Sequence, residues 1–151
     1  MFDSLKSLLA DLSGPRREEN AMDERLATAA LLIHTIAVDG EISPKERAQL
    51  RAALTGAFGL SRTETDALIE EARERDREAV DLYGFTSVLK RSLDAPGRER
   101  VIEMMWEIVF ADGGVHEFED NIVWRVAELL GVSARDRIRL RKRIEGRLAQ
   151  S

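Results

Sequence analysis

The chain has no cysteine among its 151 residues, which rules out disulfides, thiolate nucleophiles and Cys-ligated zinc. That composition fits a reducing cytoplasm. Aromatic residues make up only 5%, and the apolar–polar alternation that marks a half-buried strand is missing. No apolar run approaches the ~20 residues that a membrane-spanning helix needs. The opening Met1-Phe2-Asp3 carries an acid where a secretory leader would carry bases. A net charge of −5 argues against whole-surface nucleic-acid binding. There is no Gly-rich phosphate loop, and the serines that could partner a histidine read as helix caps. These absences lead us to expect a cytoplasmic, non-enzymatic protein that binds no nucleic acid, with a paired-carboxylate hydrolase as the remotest alternative.

What is present points to helices. Hydrophobic residues at 44% and charged residues at 34% describe a charge-rich globule long enough to bury one core. Leu26, Ala29, Ala30, Ile33 and Ile36 recur at helical spacing, as do Val101, Met104, Met105, Ile108 and Val109. Ser43-Pro44-Lys45-Glu46 is a full start signal, with Ser as N-cap, Pro at the first helical position and Glu closing a capping box. Ser61 with Glu64, Ser133 with Asp136, and Asp94-Ala95-Pro96 open further helices. The pattern predicts helices near 2–12, 22–38, 44–57, 62–78, 82–93, 96–111, 117–129 and 134–148. The mixed-charge run from Glu70 to Glu78 reads as a solvated helix face with i,i+4 pairs.

An internal echo organises these elements. Ala37-Val38-Asp39-Gly40-Glu41-Ile42 and Glu46 return 73 positions later as Phe110-Ala111-Asp112-Gly113-Gly114-Val115 and Glu119. Gly59-Leu60-Ser61 with Glu64 returns after 72 as Gly131-Val132-Ser133 with Asp136. This is a duplicated supersecondary unit. It predicts an all-α single-domain bundle of about seven to eight helices, with repeat units 22–76 and 95–148 related by a pseudo-two-fold and helix 82–93 between them. Residues 1–15 form an amphipathic helix and linker ahead of a helical domain at 16–151.

The two Asp-Gly loops carry the most chemistry. Gly40 and Gly113 sit where the preceding helices end, the place for a left-handed residue. Asp39 and Asp112 would face the unfavourable negative end of a helix dipole. One explanation is local: an Asx-turn for each Asp, with Glu46 serving as the capping-box acid. The other is that Asp39, Glu46, Asp112 and Glu119 supply hard oxygen ligands, with His116 beside them, suiting Ca²⁺, Mg²⁺ or Mn²⁺. The loops lack the ligand spacing of an EF-hand, so a site would need both loops to meet.

These residues resemble the TerB-like family of bacterial tellurite resistance proteins. Asp39-Gly40 with Glu46, and Ala111-Asp112-Gly113 with Glu119, look like the family's paired Asp-Gly…Glu signatures. Phe58-Gly59-Leu60-Ser61 and Leu130-Gly131-Val132-Ser133 look like the turn that follows each. The resemblance covers about residues 22–148. It implies a compact all-helical fold, no established enzymatic activity and a link to tellurite and other chemical stress. It further implies an acidic surface suspected of binding metal, and association with other stress-response proteins or the inner face of the membrane. The second loop departs from the first: His116 stands in place of Ser43, Gly114 in place of Glu41, and Glu117 at the position of Pro44.

Outside the loops, Phe2, Leu5, Leu8, Leu9 and Leu12 form a narrow apolar stripe that either folds back on the body or contacts a partner; with Lys6 its one cation, attraction to anionic lipid is slight. His34 reads as a part-buried residue flanking the core, and Trp106 and Trp124 read as core or groove aromatics. The last helix, rich in arginine from Arg135 to Arg147, reads as a solvated face able to meet acidic neighbours.

Overall fold

A computed structural model describes residues 23–37, 42–79, 81–111 and 117–149, the side chains of 117, 118, 148 and 149 excepted. Seven α-helices lie within these residues: α1 (Glu24–Ile36), α2 (Pro44–Phe58), α3 (Arg62–Glu78), α4 (Tyr83–Ser92), α5 (Ala95–Phe110), α6 (Glu117–Leu130) and α7 (Ala134–Ala149). No strand occurs among the described residues. The observed ends fall close to those expected from the caps. The expected helix at 2–12 lies outside the described residues.

The starts form as the side chains dictate. Asp23 accepts from Leu26 N at 2.9 Å to open α1, and Asp94 accepts from Gly97 N at 2.9 Å to open α5. Both capping boxes close: Ser43 with Glu46 on α2, and Ser61 with Glu64 on α3. Ser133 accepts from Asp136 N at 3.1 Å to start α7. After α2 and α6 the chain turns through Gly59 (φ 63°) and Gly131 (φ 77°), both left-handed. At Gly131 a Schellman pair completes the stop, with Val132 N donating to Ala127 O at 2.8 Å and Gly131 N to Glu128 O at 3.1 Å.

Two helices form the centre. Every residue of α1 from Leu26 to Ile33 is buried, as is every residue of α5 from Val101 to Trp106. A helix buried on all sides must be wrapped by others. The wrapping helices each offer a narrow stripe: Leu50 and Leu54 on α2, Thr65, Ile69 and Ala72 on α3, and Leu140 and Ile144 on α7. On α6 the stripe is Ile122, Val123, Val126, Ala127 and Leu130. The contacts come in corresponding pairs. α1 packs on α3 as α5 does on α7, α1 on α2 as α5 on α6, and α2 on α3 as α6 on α7. Across the halves, α2 packs on α5 and α6 on α1, while α4 bridges α1 and α6.

Two expectations are revised. The run from Glu70 to Glu78 is not simply a solvated face: Ala72 is fully buried, and Asp76 turns inward to meet His34, its Oδ1 2.8 Å from the imidazole Nδ1. Arg47–Glu70 also reaches between helices, leaving Arg77–Glu74 as a local pair. Trp106 is fully buried in the core, but Trp124 is 44% exposed. It follows Val123 on α6 and so falls off the 122/123–126/127–130 stripe.

Candidate functional site

Of the residues singled out around the Asp-Gly loops, Glu46 and Glu119 lie within the described structure. Asp39, Gly40, Asp112, Gly113 and His116 lie outside the described residues, as do Phe2, Leu5, Leu9 and Leu12 of the N-terminal stripe. Glu46 and Glu119 occupy corresponding places, each one helical turn before the buried stripe of its helix, but they are held differently. Glu46 accepts from Ser43 N at 2.9 Å through Oε1, while its own N–H donates to Ser43 Oγ at 3.1 Å. That carboxylate serves its helix start. Glu119, in the first turn of α6, is buried, with 7% of its surface exposed. A carboxylate placed there forfeits hydration that must be replaced by hydrogen bonds or positive charge. Among the described residues, no three acids or histidines gather as a metal-ligand set.

The arginines of α7 do more than face solvent. On α5, Glu99, Glu103 and Glu107 stand four residues apart; on α7, so do Arg139, Arg143 and Arg147. The parallel helices match them one to one. Arg139 meets Glu99 at 3.0 Å, Arg143 meets Glu103 at 3.4 Å, and Arg147 spans Glu103 at 3.6 Å and Glu107 at 3.8 Å. The hydrogen bond from Arg139 to the Glu99 carboxylate raises the guanidinium's pKa above its ordinary value. The signal was in the sequence as two four-residue periods of opposite charge, which pair only once α5 and α7 are known to run parallel.

Arg141 ties a second group together. Its guanidinium lies 5.2 Å from the Trp106 ring centroid and 5.9 Å from that of Phe110, and it donates to Asp120 at 3.0 Å and to Glu145 at 3.2 Å. Asp120 sits in the first turn of α6, so this cation pins the segment that follows the second loop onto the end of α5. Beneath it, the fully buried Trp106 indole N–H has no hydrogen-bond partner among the described residues.

Trp124 presents the most exposed tryptophan face. Arg137 stacks 5.6 Å from its centroid, and Ile138 on the same helix as Arg137 is 46% exposed. The family model described as "Tellurite resistance protein TerB" matches residues 25–142, which span all of α2 to α6, nearly all of α1 and over half of α7. The chain belongs to the TerB family. No curated protein and no solved structure matches it. The matched range includes both segments that showed the resemblance, and no helix among the described residues is long and apolar enough to cross a membrane.

Proposed function

We propose that this TerB domain is a non-catalytic binding module for a protein partner in the cytoplasmic response to tellurite and related chemical stress. The observation that carries the reading is the exposed Trp124, with Arg137 over its ring and exposed Ile138 on the same helix as Arg137. Tryptophan and arginine are enriched in the central contacts of protein interfaces, where each covers a large area. The family membership supplies the stress context. A cell lacking the gene should tolerate tellurite less well, and Trp124→Ala should fail to restore tolerance while accumulating to wild-type level. Full restoration by Trp124→Ala would refute the assignment of that surface.

A second reading, a divalent-cation sensor or buffer, is favoured by buried Glu119 at the exit of the second loop. Asp39, Glu46, Asp112, Glu119 and His116 would be its donors, and Ca²⁺, Mg²⁺ or Mn²⁺ its ion. A ligand that binds only the folded chain raises stability by RT ln(1 + [L]/Kd). Wild type should then melt higher in millimolar Ca²⁺ or Mn²⁺, and Asp39→Asn and Asp112→Asn should lose that rise. If wild type shows no rise and both variants simply melt lower, the acids are caps and turn acceptors only.

A further inference from the structure

Helix α4 has no counterpart in the internal repeat, and its N-terminal end closes a cleft against α1 and α6. The cleft is about 440 Å³ and is lined by His34, Asp81, Leu82, Tyr83, Arg125 and Leu129. That volume suits a small ligand. Two of its polar side chains are uncommitted among the described residues, and a third is half used. Among the described residues Arg125 has neither an ion-pair nor a hydrogen-bond partner. The Tyr83 ring stands 65% exposed, and its hydroxyl likewise has no partner among the described residues. His34 spends Nδ1 on Asp76 at 2.8 Å, which leaves Nε2 available.

We propose that this cleft binds a small organic monoanion, a carboxylate on a compact apolar body. Arg125 takes the carboxylate, since a planar guanidinium matches its two oxygens. Leu82 and Leu129 wall the apolar part, and the Tyr83 ring covers it from the solvent side. His34 Nε2 and the Tyr83 hydroxyl are the remaining polar contacts. Asp81 selects against higher charge: its Oδ1 accepts Tyr83 N–H at 2.9 Å, which fixes a carboxylate at the rim. Asp76 stands behind His34. A dianion would meet both of these charges with one free arginine to offset them, so a monoanionic carboxylate fits where phosphate does not. This site is independent of the Trp124 surface.

Benzoate, with inorganic phosphate at matched ionic strength, is the probe. Titrated into the full chain and followed by amide NMR and calorimetry, benzoate should bind saturably, with shifts concentrated at residues 82–86 and 125–129. Arg125→Gln should weaken it at least tenfold and Tyr83→Ala several-fold, while Arg62→Gln, which removes an exposed arginine elsewhere, should change nothing. Arg125 and Tyr83 are on the surface, and unchanged spectra away from the cleft will show that their variants fold. Non-saturable benzoate binding, equal affinity in Arg125→Gln, or phosphate binding as tight as benzoate would each overturn the proposal.

Discussion

Replacing Glu103 by glutamine tests whether the α5–α7 charge ladder holds the bundle or merely decorates it. The carboxylate is 12% exposed at the side chain and faces Arg143 at 3.4 Å and Arg147 at 3.6 Å, whose side chains are about half exposed. At such separations two unit charges interact by roughly 1 kcal/mol in bulk water and roughly 5 kcal/mol at an effective dielectric of 20. Half-exposed arginines keep much of their own hydration, and the amide of glutamine still accepts a hydrogen bond, so much of that gross attraction is not lost. The net loss should be about 1–2 kcal/mol, above the ~0.2–1 kcal/mol of an exposed pair. In a domain of this size that lowers the melting temperature by about 2–8 °C. The comparison is Glu74→Gln, which removes the acid of the exposed Arg77–Glu74 pair and should fall within ~0.5 kcal/mol of wild type. Urea unfolding of wild type, Glu103→Gln, Arg143→Gln and the Glu103→Gln/Arg143→Gln double variant gives the coupling, with Glu74→Gln measured beside them. Because Glu103 is buried and Glu74 is not, 1 M NaCl should erase the Glu74 effect and leave most of the Glu103 effect. A Glu103 variant no less stable than the Glu74 variant, or a coupling near zero, would refute the reasoning.

Three further outcomes are expected. A Cβ at Gly131 (φ 77°) would meet only Arg98 Nη1, at an ordinary 3.8 Å, so Gly131→Ala should cost about 1–2 kcal/mol through backbone conformation, read by urea unfolding. Ser61→Ala should cost about 1 kcal/mol, and the loss should depend on pH. The Ser61 N–H and hydroxyl hold the Glu64 carboxyl below its ordinary value, so this contribution is complete above the unfolded carboxylate pKa and fades as pH falls through the lowered one. The gap between wild type and Ser61→Ala should therefore narrow in acid. Trp106→Ala should cost about 3–5 kcal/mol, whereas Trp124→Ala should stay within ~0.5 kcal/mol and remove the red-shifted, quencher-accessible part of the fluorescence.

Much of the fold was legible because local chemistry and tertiary structure agree. Ser43, Ser61, Ser133 and Asp94 mark starts that each form as side-chain caps. Left-handed stops were expected at Gly40 and Gly113, outside the described residues, and the ones seen are Gly59 and Gly131 of the repeated turn. Side-chain partners across helices were harder to read. Asp76 sits in a run of alternating charge, and nothing in its neighbourhood distinguishes it from Glu74; it meets His34 because α3 lies along α1. Trp124 was read as a core or groove aromatic, and helical register removes the first choice: one position past Val123 the side chain leaves the core. The cleft at Arg125 was invisible for a third reason, since His34, Tyr83 and Arg125 come from three segments with no shared spacing. The candidate loop site is legible only at its two glutamates, whose positions correspond while their burial does not.

The all-round burial of α1 has a consequence for how the molecule breathes. Its neighbours come from both halves of the chain, with α2, α3 and α4 on one side of the sequence and α5 and α6 on the other. The two halves cannot separate without opening a buried face of α1 to water, so no half-molecule should persist as an intermediate. Amide hydrogen exchange should then find its slowest protons in the middle of α1 and α5, released together and only by global unfolding. A chain cut between Glu78 and Tyr83 should yield two fragments that stay unfolded apart and regain helicity when mixed.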